Sequence, residues 1–496
     1  MKKKFLKAVS LVLCFALIFS LSSFAFAEEG EDFSVSRLSV CVNGNTASSR
    51  GFCWYTKSKT DSVVKIFKDG KDVTSSLNRS VPVCKEWKGN FFHKVTVFGL
   101  ESGTKYTFKV GNGTVWSEEG SFKTDDKNSS LSFIAIADVQ ASSAENFAVG
   151  SAVLSKALEQ NPDADFVANL GDFTNDSTNE EWNLYDEAFK KINKNITLAP
   201  VAGNHDGLGV WHWFDNMFNL DTGESVQTLN GVNYSFDYGN AHFSVLNTND
   251  LLSVSNAQLT WLRNDLLSTD RDWKIVFMHK SPYTLGKDGK WPDALYLQQS
   301  LTAVLDEGNA DMVFSGHDHM YLRTKQLKAN SLSEGGTTYV LAGTAGAKRY
   351  QVRPFLADSF LDTSFIGALT VQKKGYANTW NGKDWSSTKE TNVGGCFSNI
   401  SINGGTLTLD AYILADEKDE NGNDVVTKID SLTLKKETGK NVPSFSGSNK
   451  TETFDYLFGA APSFLSLAKY AFGEWLFTFI KILPKIIASY VKDKTF

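Results

Sequence analysis

Five short stretches of this chain carry the residue types that hold metal ions. They are Asp138-Val139-Gln140, Gly171-Asp172, Gly203-Asn204-His205-Asp206, the single His279, and Gly316-His317-Asp318-His319. Four of the seven histidines lie in them. A histidine at one strand end is ordinarily structural; five such stretches together argue for a shared ion site. Carboxylate, amide oxygen and imidazole suit first-row divalent or trivalent ions. None of the stretches contains cysteine, which excludes soft-metal and iron–sulfur chemistry there. The ligand count exceeds what one tetrahedral zinc uses, whereas two ions sharing a carboxylate accommodate it. Such a pair makes hydroxide at neutral pH and steadies the attacking and leaving oxygens of an in-line displacement.

These residues must be positioned by alternating elements. From 131 onward, apolar runs at 133–137, 166–170, 196–201, 273–278 and 311–314 each end at one of the five stretches. Phe147, Leu154 and Leu158 share a helical face. Leu259, Leu262 and Leu266 do so within 258–267, and Leu297, Leu301, Val304 and Leu305 within 294–306. Strands alternating with helices predict an α/β domain, and ligands of open α/β sheets collect at the carboxyl ends of strands. Residues 36–125 read differently. Short apolar runs alternate with turn signals at 68–70 and 101–103, which predicts an all-β sandwich. That segment shows no catalytic grouping. His93 adjoins an alternating strand pattern and is read as structural.

With 496 residues, 42% of them hydrophobic and 21% charged, the chain predicts several globular domains rather than a disordered, collagen-like or multi-span membrane protein. Residues 1–27 read as a secretory signal peptide: a lysine-rich start, an apolar run, then Ala25-Phe26-Ala27 before Glu28. Its removal would leave 46 basic against 56 acidic residues, no basis for nucleic-acid binding. The expected location is therefore secreted or cell surface. Export permits disulfides. Cys41, Cys53, Cys84 and Cys396 allow three pairings, and one bridge within 36–125 is expected. Residues 438–453 form a linker. Residues 454–496 form an apolar helical tail too often interrupted by charge and proline to span a bilayer. The tail has two readings, association with a membrane surface or docking on the body of the protein.

The motifs resemble, in order and interval, the D-x-[HGQ] … GDxx … GNH[DE] … H … GHxH signature of the calcineurin-like metallophosphoesterases, over roughly 131–345. Residues 97–111 resemble a fibronectin-III-like signature. With 234–243, 316–323 and a closing β segment at 395–435, the chain is similar specifically to purple acid phosphatases. The resemblance implies a multidomain fold: an N-terminal fibronectin-III-like sandwich at 36–125, then an α/β metallophosphoesterase β-sandwich flanked by helices at 131–437. It assigns one metal to Asp138, Asp172 and His319, with Gln140 as an added amide ligand. The second goes to Asn204, His279 and His317, and Asp172 bridges the two. His205 becomes the general acid or phosphate binder, and Asp206 orients it through a hydrogen bond. Asn175 stands where purple enzymes carry the ferric-binding tyrosine, which favours divalent Fe, Mn or Zn. The histidine pair that plant-type relatives carry after the metal-binding histidine is missing from 281–291. Tyr321, Arg323 and His212 are the substrate-binding candidates in its place. His242, within a strand pattern, is read as core. The implied activity is hydrolysis of phosphate monoesters by attack of metal-bound hydroxide. Phosphodiester or nucleotide hydrolysis at the same site, and a decayed surface binding protein, are the alternatives.

Overall fold

The computed structural model describes residues 33–206, 213–226, 228, 231–249, 254–286, 292–352, 361–374, 379–380, 385–386, 393–441 and 443. The expected leader, His212, most of the linker and all of the apolar tail lie outside these residues. Among the described residues no helix is long and apolar enough to cross a membrane.

The segment from 130 onward is mostly β, with a few helices. Its first unit is β7 (Ser130–Ile136), α1 (Ala144–Gln160), β8 (Phe166–Asn169), α2 (Asn179–Asn193) and β9 (Thr197–Pro200). These three strands are parallel neighbours. Every residue of β8 and β9 is buried, as expected of strands covered on both faces. Both helices start on side-chain caps. Ser143 accepts the Asn146 amide, and Thr178 and Glu181 form a reciprocal capping box. The second unit is β10 (Tyr234–Tyr238), β11 (Ala241–Val245), α3 (Asn256–Ser268), β12 (Trp273–Phe277), α4 (Thr302–Gly308), β13 (Met312–Ser315), β14 (Tyr321–Thr324), β15 (Thr338–Ala342) and β16 (Ile366–Thr370). Its sheet runs β10-β11-β12-β13-β15-β14-β16 and continues into two short strands. The antiparallel ribbon β17 (Gly394–Asn403), β18 (Thr406–Ala415) and β19 (Val426–Lys435) extends the first sheet beyond β7.

The two sheets close on each other through aromatic side chains. Phe133 stacks on Phe166 at 5.0 Å and meets Phe243, Phe277 and Phe314 edge-on at 5.6, 5.7 and 5.9 Å. These are favourable ring geometries for a core. Within each sheet the strand ends are in step. Ile136 is level with Asn169, Asn169 with Pro200, and Phe277 with Phe314. Each of the five stretches singled out in the sequence begins within a few residues of such an end.

The N-terminal segment is a sandwich, but it is not a separate one. One layer contains β3 (Val63–Lys68), β5 (Lys105–Gly111) and β6 (Gly120–Lys123). The other contains β1 (Ser36–Cys41), β2 (Ser49–Thr56) and β4 (Asn90–Phe98), and it joins the sheet of β7, β8 and β9. Strand β1 runs parallel to β9, pairing Val40 with Thr197 and Cys41 with Leu198, so a single eleven-stranded sheet passes through both segments. Sequence periodicity describes strands one at a time and cannot show this pairing.

The disulfide expected within 36–125 is not formed: Cys41, Cys53 and Cys84 are free thiols, as is Cys396. Cys53 faces Ser39 and Cys41 faces Gly51 across β1 and β2, so these two are diagonal rather than opposite. Cys84 faces His93. Burial pushes the Cys41 and Cys53 thiols up to about 12.

Candidate metal centre

The turns after β7, β8 and β9 meet the turns after β12 and β13 between the two sheets. Two groups of ligand atoms form there, Asp138–Asp172–His319 and Asp172–His279–His317, each with all atoms within 4.8 Å of one another. Asp172 belongs to both. The Nε2 atom of His279 lies 3.3 Å from Asp172 Oδ2 and 3.0 Å from Asn204 Oδ1. The Nε2 atom of His319 lies 3.5 Å from Asp138 Oδ1.

The backbone that presents these groups is strained. Asp138, Gln140, Asp172, His317 and His319 have φ of 56°, 35°, 57°, 77° and 44°. A non-glycine residue in this left-handed region costs about 1–2 kcal/mol. Such strain persists where surrounding contacts over-determine it, and it gathers at functional sites. The contacts are visible. Both Asp138 oxygens accept the His317 amide, at 3.0 and 2.9 Å. The Asp172 Oδ1 atom accepts the His205 amide at 2.8 Å.

Hydrogen bonds also determine which ring nitrogens are available. His279 Nδ1 donates to the Leu170 carbonyl at 2.8 Å, and His319 Nδ1 donates to the Lys348 carbonyl at 2.6 Å. A carbonyl can only accept, so Nδ1 carries the hydrogen and Nε2 is left as the ligand atom in both rings. Tyr350 stacks on His319 at 4.3 Å and 22° and holds its plane. His205 Nδ1 donates to the Asn175 carbonyl at 2.5 Å, which leaves Nε2 as the atom that can carry and deliver a proton. Asn175 thus serves the site through its main chain; its side-chain amide donates to Asp176 at 3.0 Å.

The electrostatics call for cations. Burial, reinforced by the Asp172 charge, pushes Asp138 well above the usual carboxylate range. Burial acts on Asp172 in the same sense, but the charges of His279 and His205 outweigh it and hold its carboxyl below that range. Burial disfavours the His279 cation, yet the Asp172 charge and hydrogen bond bring that ring up to about 9 while no ion is bound, so a metal ion at Nε2 would take the place of a proton there. Burial drives His319 well down, so it is neutral, the state a ligand needs. Gln140 is 5% exposed, and both of its amide atoms are buried with no hydrogen-bond partner. A buried orphan amide costs free energy unless something coordinates it. This donor set therefore fits metal ions, with Asp138, Asp172 and His319 in one group, Asp172, His279 and His317 in the other, and the Asn204 amide oxygen against His279.

Three expected roles change. Asp206 does not orient His205. Its buried carboxylate accepts the amides of Asp172, Phe173 and Gly203 at 2.8, 2.7 and 2.8 Å, which pins two ligand turns together. Burial and the Asp172 charge raise it to about 7. Tyr321 and Arg323 are not available to substrate. The Tyr321 hydroxyl donates to Asp430 at 2.6 Å, and Arg323 grips the same carboxylate with two bonds of 2.6 and 3.0 Å. That grip ties β14 to β19. The third candidate, His212, lies outside the described residues. Sequence reasoning also missed the segment after β15. There Thr344 donates to the Asp138 carbonyl at 2.7 Å, and Lys348 and Tyr350 support His319. The available signal was the Gly343-Thr344-Ala345-Gly346 run directly after a buried strand, one more strand end without a ligand residue.

Comparison with known proteins agrees with this geometry. The calcineurin-like phosphoesterase family matches residues 131–321, and the purple acid phosphatase N-terminal domain matches residues 35–124. Purple acid phosphatase 23 of Arabidopsis thaliana is 23% identical over 334 residues, covering 59% of this chain and 70% of that protein. Purple acid phosphatase 22 of the same plant is 23% identical over 328 residues, covering 62% and 72%. A solved structure described as PhoD superposes with a TM-score of 0.57 at 11% identity, over 89% of this chain and 97% of that one, which is a likeness of fold.

Proposed function

Since the chain is a purple acid phosphatase-like member of the calcineurin-like phosphoesterases, and a metal-dependent phosphatase, we propose that it hydrolyses phosphate monoesters at a two-ion centre, outside the cytoplasm. The observation that carries the two-ion reading is Asp172, shared between two ligand groups. Two ions, when bound, supply an activated water nucleophile and offset the charge of the phosphoryl oxygens. The residues of the chain do the rest. Leu170 and Lys348 fix the tautomers of His279 and His319 through their carbonyls. Asp206 keeps Asp172 and Gly203 in register. His205, pinned at Nδ1 by the Asn175 carbonyl, presents Nε2 to the leaving-group oxygen and, when both ring nitrogens are protonated, gives it the Nε2 proton.

The test is hydrolysis of p-nitrophenyl phosphate beside bis-p-nitrophenyl phosphate, with Mn, Fe or Zn supplied and metal content measured. Monoester turnover with two equivalents of metal is expected. Turnover of the diester alone would move the assignment to a phosphodiesterase. Iron-loaded protein is expected to lack a tyrosinate absorption band, because Asn175 offers no phenolate. The extracellular reading rests on residues 1–27, and N-terminal sequencing of exported protein should begin at Glu28.

A further inference from the structure

We propose that Thr284 is a positioning residue for the metal centre. Its hydroxyl holds Asp318, and through Asp318 it fixes the turn that delivers His317 and His319 to the two ligand groups. The inference rests on the metal-centre reading above and is indifferent to which phosphoester is the substrate.

Asp318 stands between the two groups. His317, on one side of it, belongs with Asp172 and His279; His319, on the other, belongs with Asp138 and Asp172. The turn that carries them is strained. The Asp318 amide donates to the Gly316 carbonyl at 3.0 Å across His317, whose φ is 77°. A bond of this span around a residue with φ of about +75° makes the rare, strained form of γ-turn. His319 follows with φ of 44°. Such a turn keeps its shape only where its neighbours over-determine it.

Three successive residues of the turn are tied to three places. Gly316 donates its amide to the His279 carbonyl at 2.9 Å, and His317 donates its amide to the Asp138 carboxylate. Both of those partners are ligand residues. Asp318, 1% exposed, accepts the Thr284 hydroxyl, a tie from outside the ligand set. The hydroxyl is aimed: its oxygen accepts the Gly286 amide at 3.2 Å, which leaves its hydrogen for the carboxylate. Gly286 packs so closely that a Cβ there would lie 2.2 Å from both Asp318 carboxylate oxygens.

The loop that carries Thr284 is anchored in the core. The Ser281 hydroxyl donates to the Tyr283 carbonyl at 2.9 Å and accepts the Tyr283 amide at 3.2 Å. The Tyr283 ring meets Tyr339 edge-on at 4.6 Å, and its hydroxyl donates to Asn330. Tyr283 and Leu285 are each 2% exposed within one hydrophobic cluster. Residues 281–286, where the histidine pair was looked for, thus tie the ligand turn to that cluster.

The experiment strips the full chain with a chelator and titrates it calorimetrically with Mn²⁺, with Zn²⁺ and, without air, with Fe²⁺. Wild type is compared with Thr284→Val, Thr284→Ser, Gly286→Ala and Tyr283→Phe. Thr284→Val keeps the shape and removes the hydroxyl. Metal affinity should fall about 10- to 100-fold, as when a supporting partner of a ligand is lost. Every binding step seen in wild type should weaken, because Asp318 lies between the two groups. Thr284→Ser should restore wild-type affinity. Gly286→Ala keeps the hydroxyl but drives a methyl against the Asp318 carboxylate. It should weaken binding in the same sense, and it carries the test if Thr284→Val does not fold. Tyr283→Phe, which loosens the loop without touching Asp318, should lower the melting temperature and leave the metal constants unchanged. Wild-type metal constants in Thr284→Val, no recovery in Thr284→Ser, or an equal loss in Tyr283→Phe would overturn the proposal. Thr284-dependent metal binding without monoester turnover would sink the monoester assignment and keep this one. Monoester turnover with Thr284-independent metal binding would do the reverse. A wild type that binds none of the three ions would overturn both.

Discussion

Among the described residues, two histidine–carboxylate clusters lie at opposite ends of the same sheet sandwich, and one of them groups its ligand atoms as a metal site does. Beside the start of β11, His242 donates to Asp237 at 2.7 Å and to Asp265 at 2.9 Å. Asp265 also accepts Ser244 and Ser235 at 2.6 and 2.8 Å, and Asp237 accepts Arg271 at 3.1 Å. Each ring nitrogen has a carboxylate, and none of these residues has a positive φ. In the metal centre each buried ring spends one nitrogen on a carbonyl and turns the other toward carboxylate or amide oxygens. Five of its residues are left-handed and its glutamine amide is orphaned. The difference teaches how to read such clusters. A carboxylate on both ring nitrogens makes a structural cation, whereas a carbonyl on one makes a ligand of the other.

Asp172→Asn should produce the largest effect, because it removes the charge shared by both groups. Activity should fall by more than the roughly 10- to 100-fold that loss of a supporting partner costs. Metal content measured on the purified variant should fall with it. Asp206→Asn should come next. It replaces an acceptor of three amides with a group that can accept fewer, and a loss of about 10- to 100-fold in metal affinity is expected, read by metal titration.

The His242 cluster should respond in stability alone. His242→Gln should cost about 3–5 kcal/mol, as expected when a buried charged partner is removed, with unchanged activity per folded molecule. Burial disfavours the His242 cation, but the Asp265 charge and the hydrogen bonds to Asp237 and Asp265 outweigh it and raise the ring from 6.5 to about 10. A raised folded-state value stabilises fully below pH 6.5, and the stabilisation is lost as pH climbs through about 10. Urea melts from pH 6 to pH 10 should therefore show a decline in wild type that is absent from His242→Gln. A decline of equal size in both would assign it to other groups. Tyr321→Phe should show the smallest effect, about 1–3 kcal/mol of stability for one hydrogen bond to a charged group. Its KM should match wild type; a raised KM would return Tyr321 to the substrate site.

Much of the centre was legible because metal binding needs particular residue types. Aspartate, asparagine and histidine recur at successive strand ends, and that order survives in a linear reading. The α/β alternation was legible from periodicity, and the N-terminal strands from their turns. Roles that depend on what a side chain meets were not legible. Asp206 sits beside His205 in sequence yet serves three amides elsewhere. Tyr321 and Arg323 follow a ligand motif closely yet answer to Asp430, more than a hundred residues on. The unbroken sheet through both segments depends on β1 finding β9, a long-range pairing with no local signature. Composition along the chain thus settles which chemistry is available, because ligand identity is a property of single residues. Folding settles which groups perform it, because a hydrogen bond to a ring nitrogen, a strained φ or a captured guanidinium exists only between parts of the chain far apart in sequence.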